Sequence, residues 1–134
     1  MTGDILYLDS SALVKLILIE AESIPLLRLL LAWPYRITSQ IGFVEVHRAI
    51  RRASEDEKVL RCLEEVLATI HFMDVHMNIL AEASLLQPKA LRSLDAIHLA
   101  SAVTLKPELG AFVTYDRNLA DAARDLDIRV LSPT

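Results

Sequence analysis

Short apolar runs alternate with longer stretches of helical periodicity along nearly the whole chain. The first run, ILYL at residues 5–8, is bounded by acidic residues and has the character of a buried strand, and a helical stretch that begins with two serines follows it. Strands and helices continue to alternate up to residues 128–131. This order predicts an α/β domain with a mainly parallel sheet covered by helices on both faces, whose sites open at the carboxyl ends of the strands.

The same pattern assigns an approximate range to each element. Strands are predicted at residues 5–8, 36–38, 72–73, 112–114 and 128–131. Helices are predicted from residue 10 onward, at 24–33, through Phe43, Val46 and Ile50, at 59–70, around 79–86, around 94–105 and at 119–126. No internal repeat or domain boundary interrupts the series, so we expect a single domain spanning residues 1–134.

Composition narrows the class of protein further. The chain is 53% hydrophobic with only 3 Gly and 5 Pro, which argues against disorder. Its net charge of -4 argues against a generally basic nucleic-acid binder, so contact with a polyanion would need a local patch or a bound metal. The single cysteine, Cys62, cannot form an internal disulfide, and we find neither a signal-peptide pattern nor an apolar run that could span a bilayer. We therefore expect a cytoplasmic protein without membrane contact.

Four acidic residues follow predicted strands or stand near the starts of predicted helices. Asp9 directly follows the first strand and Asp116 follows the late strand, while Glu45 and Asp95 lie in the first turns of helices. All four are therefore expected at the carboxyl edge of the sheet. Carboxylates that lie close together repel one another unless one is protonated or a hard cation binds them. The oxygen-only set predicts a site for Mg²⁺ or Mn²⁺, which can activate water for hydrolysis of a phosphate ester.

Each acid taken alone also has an ordinary structural explanation. Asp9 is placed to cap a helix, Glu45 and Asp95 to be solvated first-turn acids, and Asp116 to be a turn residue. The flanking residues favour the metal-site hypothesis. Glu45 and Asp95 stand among apolar side chains, and a carboxylate in such surroundings needs a partner. Asp121 is expected to face solvent and is not included in the site.

Polar and basic residues near the four acids are candidates for supporting roles. Ser10 and Thr114 are predicted to hydrogen-bond the acids or metal-bound water, whereas Ser11 is interpreted as a helix cap. Five basic residues are candidate RNA-backbone ligands, with a solvated basic face or simple charge balance as the alternative: Arg48, Arg51, Arg52, Lys15 and Arg117.

Several other kinds of site are excluded or disfavoured. No two of the four histidines stand at the i, i+4 spacing of helical zinc ligands, so a zinc site is not expected. His98 shares a helix face with Asp95, which allows a role near the site, although packing is the commoner reason for such a residue. With three scattered glycines, neither the dinucleotide fingerprint nor the P-loop can be written in this sequence.

The segments LDSSALVKL, FVEVHRAIRR, LDAIHLASA and FVTYDRNLADAARDLDIRVLSP, in this order, resemble the PIN-domain family, and within it the VapC-type toxins of toxin-antitoxin pairs. The resemblance covers nearly the whole chain. It implies a three-layer α/β/α, Rossmann-like domain with four or five strands, a Mg²⁺-dependent endoribonuclease, a small cognate antitoxin and a homodimer. Carried onto this sequence, the four acids of the family fall on Asp9, Glu45, Asp95 and Asp116, with Ser10 and Thr114 at supporting positions.

Two other functional classes are alternatives to a ribonuclease. A phosphoryl-transfer domain is disfavoured, because a haloacid-dehalogenase-type phosphatase needs a second aspartate where Ser11 stands. A response-regulator receiver needs a lysine after a late strand, where this chain has Tyr115 and Asp116. A non-catalytic module of the same fold, which binds RNA or protein without cutting, stays open.

An apolar partner surface is predicted at residues 24–33, which are hydrophobic nearly all round if helical, and we expect an antitoxin segment or a second subunit to cover part of it.

Overall fold

A parallel sheet forms the centre of the fold. The computed structural model describes residues 3–134, and within them five strands pair in the order β3-β2-β1-β4-β5 with every pairing parallel. The strands are β1 (Ile5–Leu8), β2 (Tyr35–Ser39), β3 (His71–Met73), β4 (Leu109–Val113) and β5 (Val130–Leu131). The first strand lies in the middle, so the residue that follows it is surrounded by the rest of the sheet. The predicted parallel sheet of four or five strands is confirmed.

Helices connect the strands and cover both faces of the sheet. Within the described residues they are α1 (Ser10–Lys15), α2 (Ser23–Leu31), α3 (Gln40–Ala53), α4 (Glu57–Leu67), α5 (Met77–Leu85), α6 (Ser93–Val103) and α7 (Arg117–Asp125). Leu6 and Leu8 of β1 pack with α1 to α4, whereas Tyr7 packs on the opposite side with α6 and α7. This alternation follows from the two-residue period of a strand. The predicted three-layer α/β/α arrangement is therefore confirmed.

The register of the strands decides what meets at the carboxyl edge. Leu8 at the end of β1 is paired with Val113 at the end of β4, and the Asp9 amide donates to the Val113 carbonyl at 3.1 Å. Tyr7 is paired with Ile37, two residues before Ser39 ends β2. The segments that follow β1, β2 and β4 therefore leave the sheet side by side, which places α1, α3 and α7 around one rim.

Two helices are shorter than the apolar pattern indicates. The first ends at Lys15, although Leu16 and Ile17 beyond it are buried, and α2 ends at Leu31 rather than near Trp33. Apolar periodicity reports burial, and these residues continue to pack into the core after the helical hydrogen bonds stop. None of the helices in residues 3–134 has the length and apolar character needed to span a bilayer.

Candidate active site

Asp9 is the most enclosed of the four predicted acids. It is 3% exposed and caps α1, because its Oδ1 accepts from the Ala12 amide at 3.0 Å. The Ser11 hydroxyl donates to the same oxygen at 2.6 Å, and the Thr114 hydroxyl donates to Oδ2 at 2.6 Å. Burial raises the pKa of the Asp9 carboxyl, while the nearby His98 and these hydrogen bonds oppose the increase. Asp9 is both a helix cap and a buried carboxylate at the rim.

Thr114 joins Asp9 to Asp116. Its buried hydroxyl donates to Asp9 and accepts from the Asp116 amide at 3.1 Å. Asp116 in turn caps α7, with its Oδ1 accepting from the Leu119 amide at 2.9 Å. The two acids that follow neighbouring strands are thus connected through one side chain. The bond to Asp9 agrees with the prediction that Thr114 hydrogen-bonds the acids.

Glu45 reaches the same rim from the second turn of α3. Its Oε1 accepts from the Ser10 hydroxyl at 2.6 Å and lies 2.7 Å from His98 Nε2. Gly42, one turn earlier, lies so close to β2 that an added Cβ would come within 2.8 Å of Thr38 Oγ1. Burial alone would raise the pKa of Glu45, but the hydrogen bonds from His98 and Ser10 and the nearby positive charges together hold it below its usual value. Glu45 is therefore a partly buried carboxylate held in its ionised form.

His98 and Tyr7 extend this contact into the core. The ring of His98 is 1% exposed, and its Nδ1 lies 2.7 Å from the hydroxyl of Tyr7, which itself accepts from the Ser39 amide at 3.1 Å. A carboxylate only accepts, so a proton is assigned to Nε2, and Nδ1 is the hydrogen-bond partner of the Tyr7 hydroxyl. Burial raises the pKa of Tyr7 far above its usual value, which keeps its hydroxyl protonated. Glu45 is thus positioned by a buried row of hydrogen bonds that ends in the sheet.

Asp95 and Asp116 face an open cleft on the other side of the rim. The cleft has a volume of about 740 Å³ and is lined by both acids and by Arg92. Arg92 Nε lies 3.4 Å from Asp95 Oδ2, and Arg92 Nη2 lies 3.1 Å from Asp116 Oδ2. Burial raises the pKa of Asp95, the charge of Asp116 raises it further, and Arg92 and His98 oppose both. This repulsion between carboxylates is what a bound cation would relieve.

The donor chemistry of the rim fits a hard divalent cation, but the ligands are not assembled as they stand. Carboxylate and hydroxyl oxygens are the ligands that Mg²⁺ prefers. In the described part of the chain, no group of three Asp, Glu, His or Cys side chains is arranged to hold a metal ion. The contacts above give the reason, because each carboxylate is turned toward a donor of the protein. Binding of an ion would require some of these donors to be released.

The structure places the remaining predicted residues as follows. Ser10 hydrogen-bonds Glu45, in agreement with a supporting role. The interpretation of Ser11 as a helix cap is wrong, since Asp9 caps the helix and the Ser11 hydroxyl donates to Asp9 while accepting from the Tyr115 amide at 3.0 Å. Asp121 is exposed, as predicted, and pairs with Arg124, but it also lines the outer cleft beside Asp95 and Asp116.

The basic candidates differ in their surroundings. Arg48 and Arg52 line a groove of about 420 Å³ that also contains Ser10, Ser11 and Glu45, while Arg51 is exposed on the same helix. Lys15 is paired with Glu20 at 2.6 Å and Glu22 at 3.0 Å, so its charge is already balanced. Arg117 is exposed next to Asp116. The groove beside Glu45 thus brings two arginines close to one of the four acids.

Sequence reasoning missed two of the residues that organise this site. Arg92 stands outside the predicted set, although its position three residues before Asp95 is a recognisable helical ion-pair spacing. For Tyr7 the sequence indicates only a buried strand, and nothing in its local sequence indicates a partner 91 residues away. For His98 the sequence allows a role near the site, and the structure places it in direct contact with Glu45.

Comparison with known proteins gives consistent results. The model of the PIN domain family matches residues 6–125. Ribonuclease VapC46 of Mycobacterium tuberculosis (strain ATCC 25618 / H37Rv) is 40% identical over 129 residues, covering 96% of this chain and 98% of the relative. Ribonuclease VapC35 of the same strain is 43% identical over 135 residues, covering 96% of each protein.

Solved structures agree in fold at lower sequence identity. VapBC2 from Rickettsia felis, bound to a DNA fragment from its promoter, superposes with a TM-score of 0.74 at 14% identity and covers 97% of this chain and 99% of that chain. A toxin-antitoxin complex from Klebsiella pneumoniae superposes with a TM-score of 0.69 at 21% identity, covering 96% of this chain and 98% of that chain. At these identities the superpositions establish the fold.

Proposed function

This chain belongs to the PIN domain family, with the VapC ribonucleases as relatives, and on that premise we propose that it is a Mg²⁺-dependent endoribonuclease that acts as the toxin of a toxin-antitoxin pair. Its substrate would be cytoplasmic RNA, and its catalytic groups would be Asp9, Glu45, Asp95 and Asp116. The relatives carry the name ribonuclease, which supports the reaction class. The metal and the roles of the four acids are proposed from the geometry of this chain.

One observation carries the proposal, namely a continuous polar network that joins three of the acids and ends beside the fourth. Asp9 is linked to Asp116 through Thr114, and Asp116 is linked to Asp95 through Arg92. Glu45 bonds Ser10, the residue after Asp9, and also His98, which lies one helical turn after Asp95. Acids drawn from four separate segments of the chain therefore share one rim.

The four carboxylates would hold Mg²⁺, and Mn²⁺ has the same preference for oxygen ligands. When bound, such an ion would supply acidification of water and stabilisation of charge on the leaving oxygen of a phosphodiester. The chain's own side chains supply the rest. Ser11 and Thr114 fix the orientation of Asp9, while Ser10 and His98 fix that of Glu45. Such supporting contacts orient ligands and raise their affinity for a metal.

RNA would approach along the groove that contains Glu45, because Arg48 and Arg52 line it and guanidinium groups bind phosphate well. A local patch of this kind is what a chain of net charge -4 requires. Lys15 contributes less to this surface, because Glu20 and Glu22 already bind its ammonium group.

We also propose a cognate antitoxin and a homodimer as partners. The solved relatives include toxin-antitoxin complexes. On this chain, Ile24, Leu27 and Leu31 of α2 are 60%, 48% and 85% exposed, which leaves an apolar helix face without cover. That face lies within the segment for which the sequence predicts a partner.

The test of the enzyme is cleavage of a labelled total RNA pool by the purified protein. It is run with Mg²⁺, with EDTA, and with the Asp95→Asn variant. Asp127→Asn is the matched control, because Asp127 is exposed in a turn with φ of 59°, a conformation that Asn adopts readily. We expect cutting by the wild type and by the control in Mg²⁺ only, and none by Asp95→Asn. Intact RNA in every reaction of a folded, antitoxin-free protein would instead support a non-catalytic binding module.

A further inference from the structure

Arg92 contacts one carboxylate oxygen of each of the two acids at the outer cleft. In Asp116, Oδ1 is committed to capping α7 through the Leu119 amide, which leaves Oδ2 for any further ligand. Arg92 Nη2 lies 3.1 Å from this Oδ2, and Arg92 Nε lies 3.4 Å from Oδ2 of Asp95. A guanidinium and a divalent ion compete for these two oxygens, because both are cations and they would repel one another at such short range.

The contacts of Arg92 with the two acids can also be broken without disturbing the fold. Its side chain is 78% exposed and projects from the residue before α6, so its removal from the acids disturbs no packed surface. Exposed ion pairs are weak, because water and salt screen them, and a doubly charged ion is therefore able to displace the guanidinium. After displacement Arg92 remains three residues from Asp95, within reach of anything bound at the cleft.

We propose that Arg92 and the divalent cation exchange at Asp95 and Asp116, and that the displaced guanidinium then binds a phosphate of the RNA. This inference rests on the proposed function. In the metal-free protein Arg92 partly balances the charge of the two acids, and in the metal-bound protein it becomes a substrate-binding residue. A guanidinium suits the second role because its fork of donors matches two phosphate oxygens.

The first readout is the affinity for Mn²⁺, measured by calorimetric titration of the metal-free protein. Removal of the competing guanidinium in Arg92→Gln is expected to tighten Mn²⁺ binding about two- to fivefold, the range that corresponds to weak surface ion pairs. Arg61→Gln is the control, since Arg61 is an exposed arginine on α4 that does not line the outer cleft. Its affinity is expected to equal that of the wild type. An Arg92→Gln protein that binds Mn²⁺ no more tightly than the control would overturn the exchange.

The second readout is steady-state cleavage of a short RNA at saturating Mn²⁺. Arg92→Gln is expected to raise KM about tenfold while kcat changes less, because a charge-assisted contact to phosphate is lost. Arg92→Lys keeps the charge without the fork and should lie between the two proteins. Unchanged KM in Arg92→Gln would overturn the substrate contact. Absence of any Mn²⁺ binding by the wild type would instead refute the proposed metal site itself, which separates the two failures.

Discussion

The two halves of the acidic rim are built in different ways. The inner half, Asp9 and Glu45, is held by neutral hydroxyls and by a buried histidine whose own partner lies in the central strand. The outer half, Asp95 and Asp116, is held by one arginine whose side chain is 78% exposed. Folding of the core therefore determines the inner geometry, whereas the outer geometry depends on a contact that solvent can replace.

The two halves are therefore expected to contribute differently to the stability of the fold and to binding. A buried carboxylate whose hydrogen bonds only partly offset its burial costs free energy, so Asp9, whose pKa is raised, destabilises the fold in exchange for a defined position, whereas Glu45, whose pKa is lowered, does not. The outer half contributes little to stability, since exposed ion pairs are weak. Substitutions in the inner half are expected to change stability and cleavage together, and substitutions in the outer half to act mainly on charge and binding.

The largest effect is expected from Asp9→Asn. Loss of this carboxylate should reduce cleavage by more than about a hundredfold. The reason is that loss of a residue that only supports a metal ligand already reduces activity by up to about a hundredfold. The same substitution should raise the Tm at pH 7 by about 3 to 5 °C. The reason is that burial raises the pKa of Asp9 above its ordinary value of 3.8, so ionisation in the folded state costs stability as the pH rises above that value.

The pH dependence provides the control for this prediction. Below pH 3.8 Asp9 is protonated in both the folded and the unfolded chain, so the Tm difference between variant and wild type should shrink as the pH falls toward that value. Asp127→Asn, an exposed site, should show no such trend. An Asp9→Asn protein that is less stable than the wild type at pH 7 would mean that the hydrogen bonds to Asp9 outweigh its burial.

The fold and the acid positions were largely predictable from the sequence. Buried parallel strands read as short apolar runs, and acids that follow such runs must reach the carboxyl edge, which is how Asp9 and Asp116 were identified. Glu45 and Asp95 were indicated by apolar neighbours on their helices. These signals are local, within one strand or one turn of helix.

The supporting contacts were predictable only in part, because most of them join distant segments. Tyr7 contacts His98 across 91 residues, and Thr114 contacts Asp9 across 105. Tyr7 in β1 has the local pattern of a core aromatic residue, since its ring stacks on Phe112 while only its hydroxyl enters the site. The role of Ser11 was misread for a similar reason, because a serine at a helix start looks like a cap unless the preceding aspartate is known to take that place.

A smaller effect is expected from substitution of His98, which links the inner half to the core. His98→Ala leaves a cavity, an unpaired Tyr7 hydroxyl and a Glu45 carboxylate without its donor, so we expect a loss of about 2 to 4 kcal/mol of stability. Cleavage should fall about 10- to 100-fold, as for other partners of metal ligands. Chemical denaturation and initial cleavage rates measure the two effects.

His98→Gln tests whether the hydrogen bond to Glu45 is the cause. Glutamine has an amide donor for Glu45 and a carbonyl acceptor for Tyr7, so it should recover part of the activity lost in the alanine variant. His76→Ala is the control. The His76 side chain is 72% exposed, and its ion-pair contact with the exposed carboxylate of Asp74 is long, at 3.9 Å. Full activity in His98→Ala would show that the fold positions Glu45 without this contact, and the distinction between the two halves would then weaken.

The smallest effect on stability is expected in the outer half, from Asp116→Asn. The pKa of Asp95 is raised first by burial and then by the charge of Asp116, so removal of that charge should lower the pKa of Asp95 in the metal-free protein. Because a raised carboxyl pKa costs stability at neutral pH, the variant should be marginally more stable there, and asparagine caps a helix as well as aspartate does. Carbon-13 NMR titration of the Asp95 carboxyl measures the change directly. An unchanged Asp95 titration would mean that the two acids do not act on one another, in which case they would not be the paired ligands of one cation and Arg92 would have nothing to exchange with.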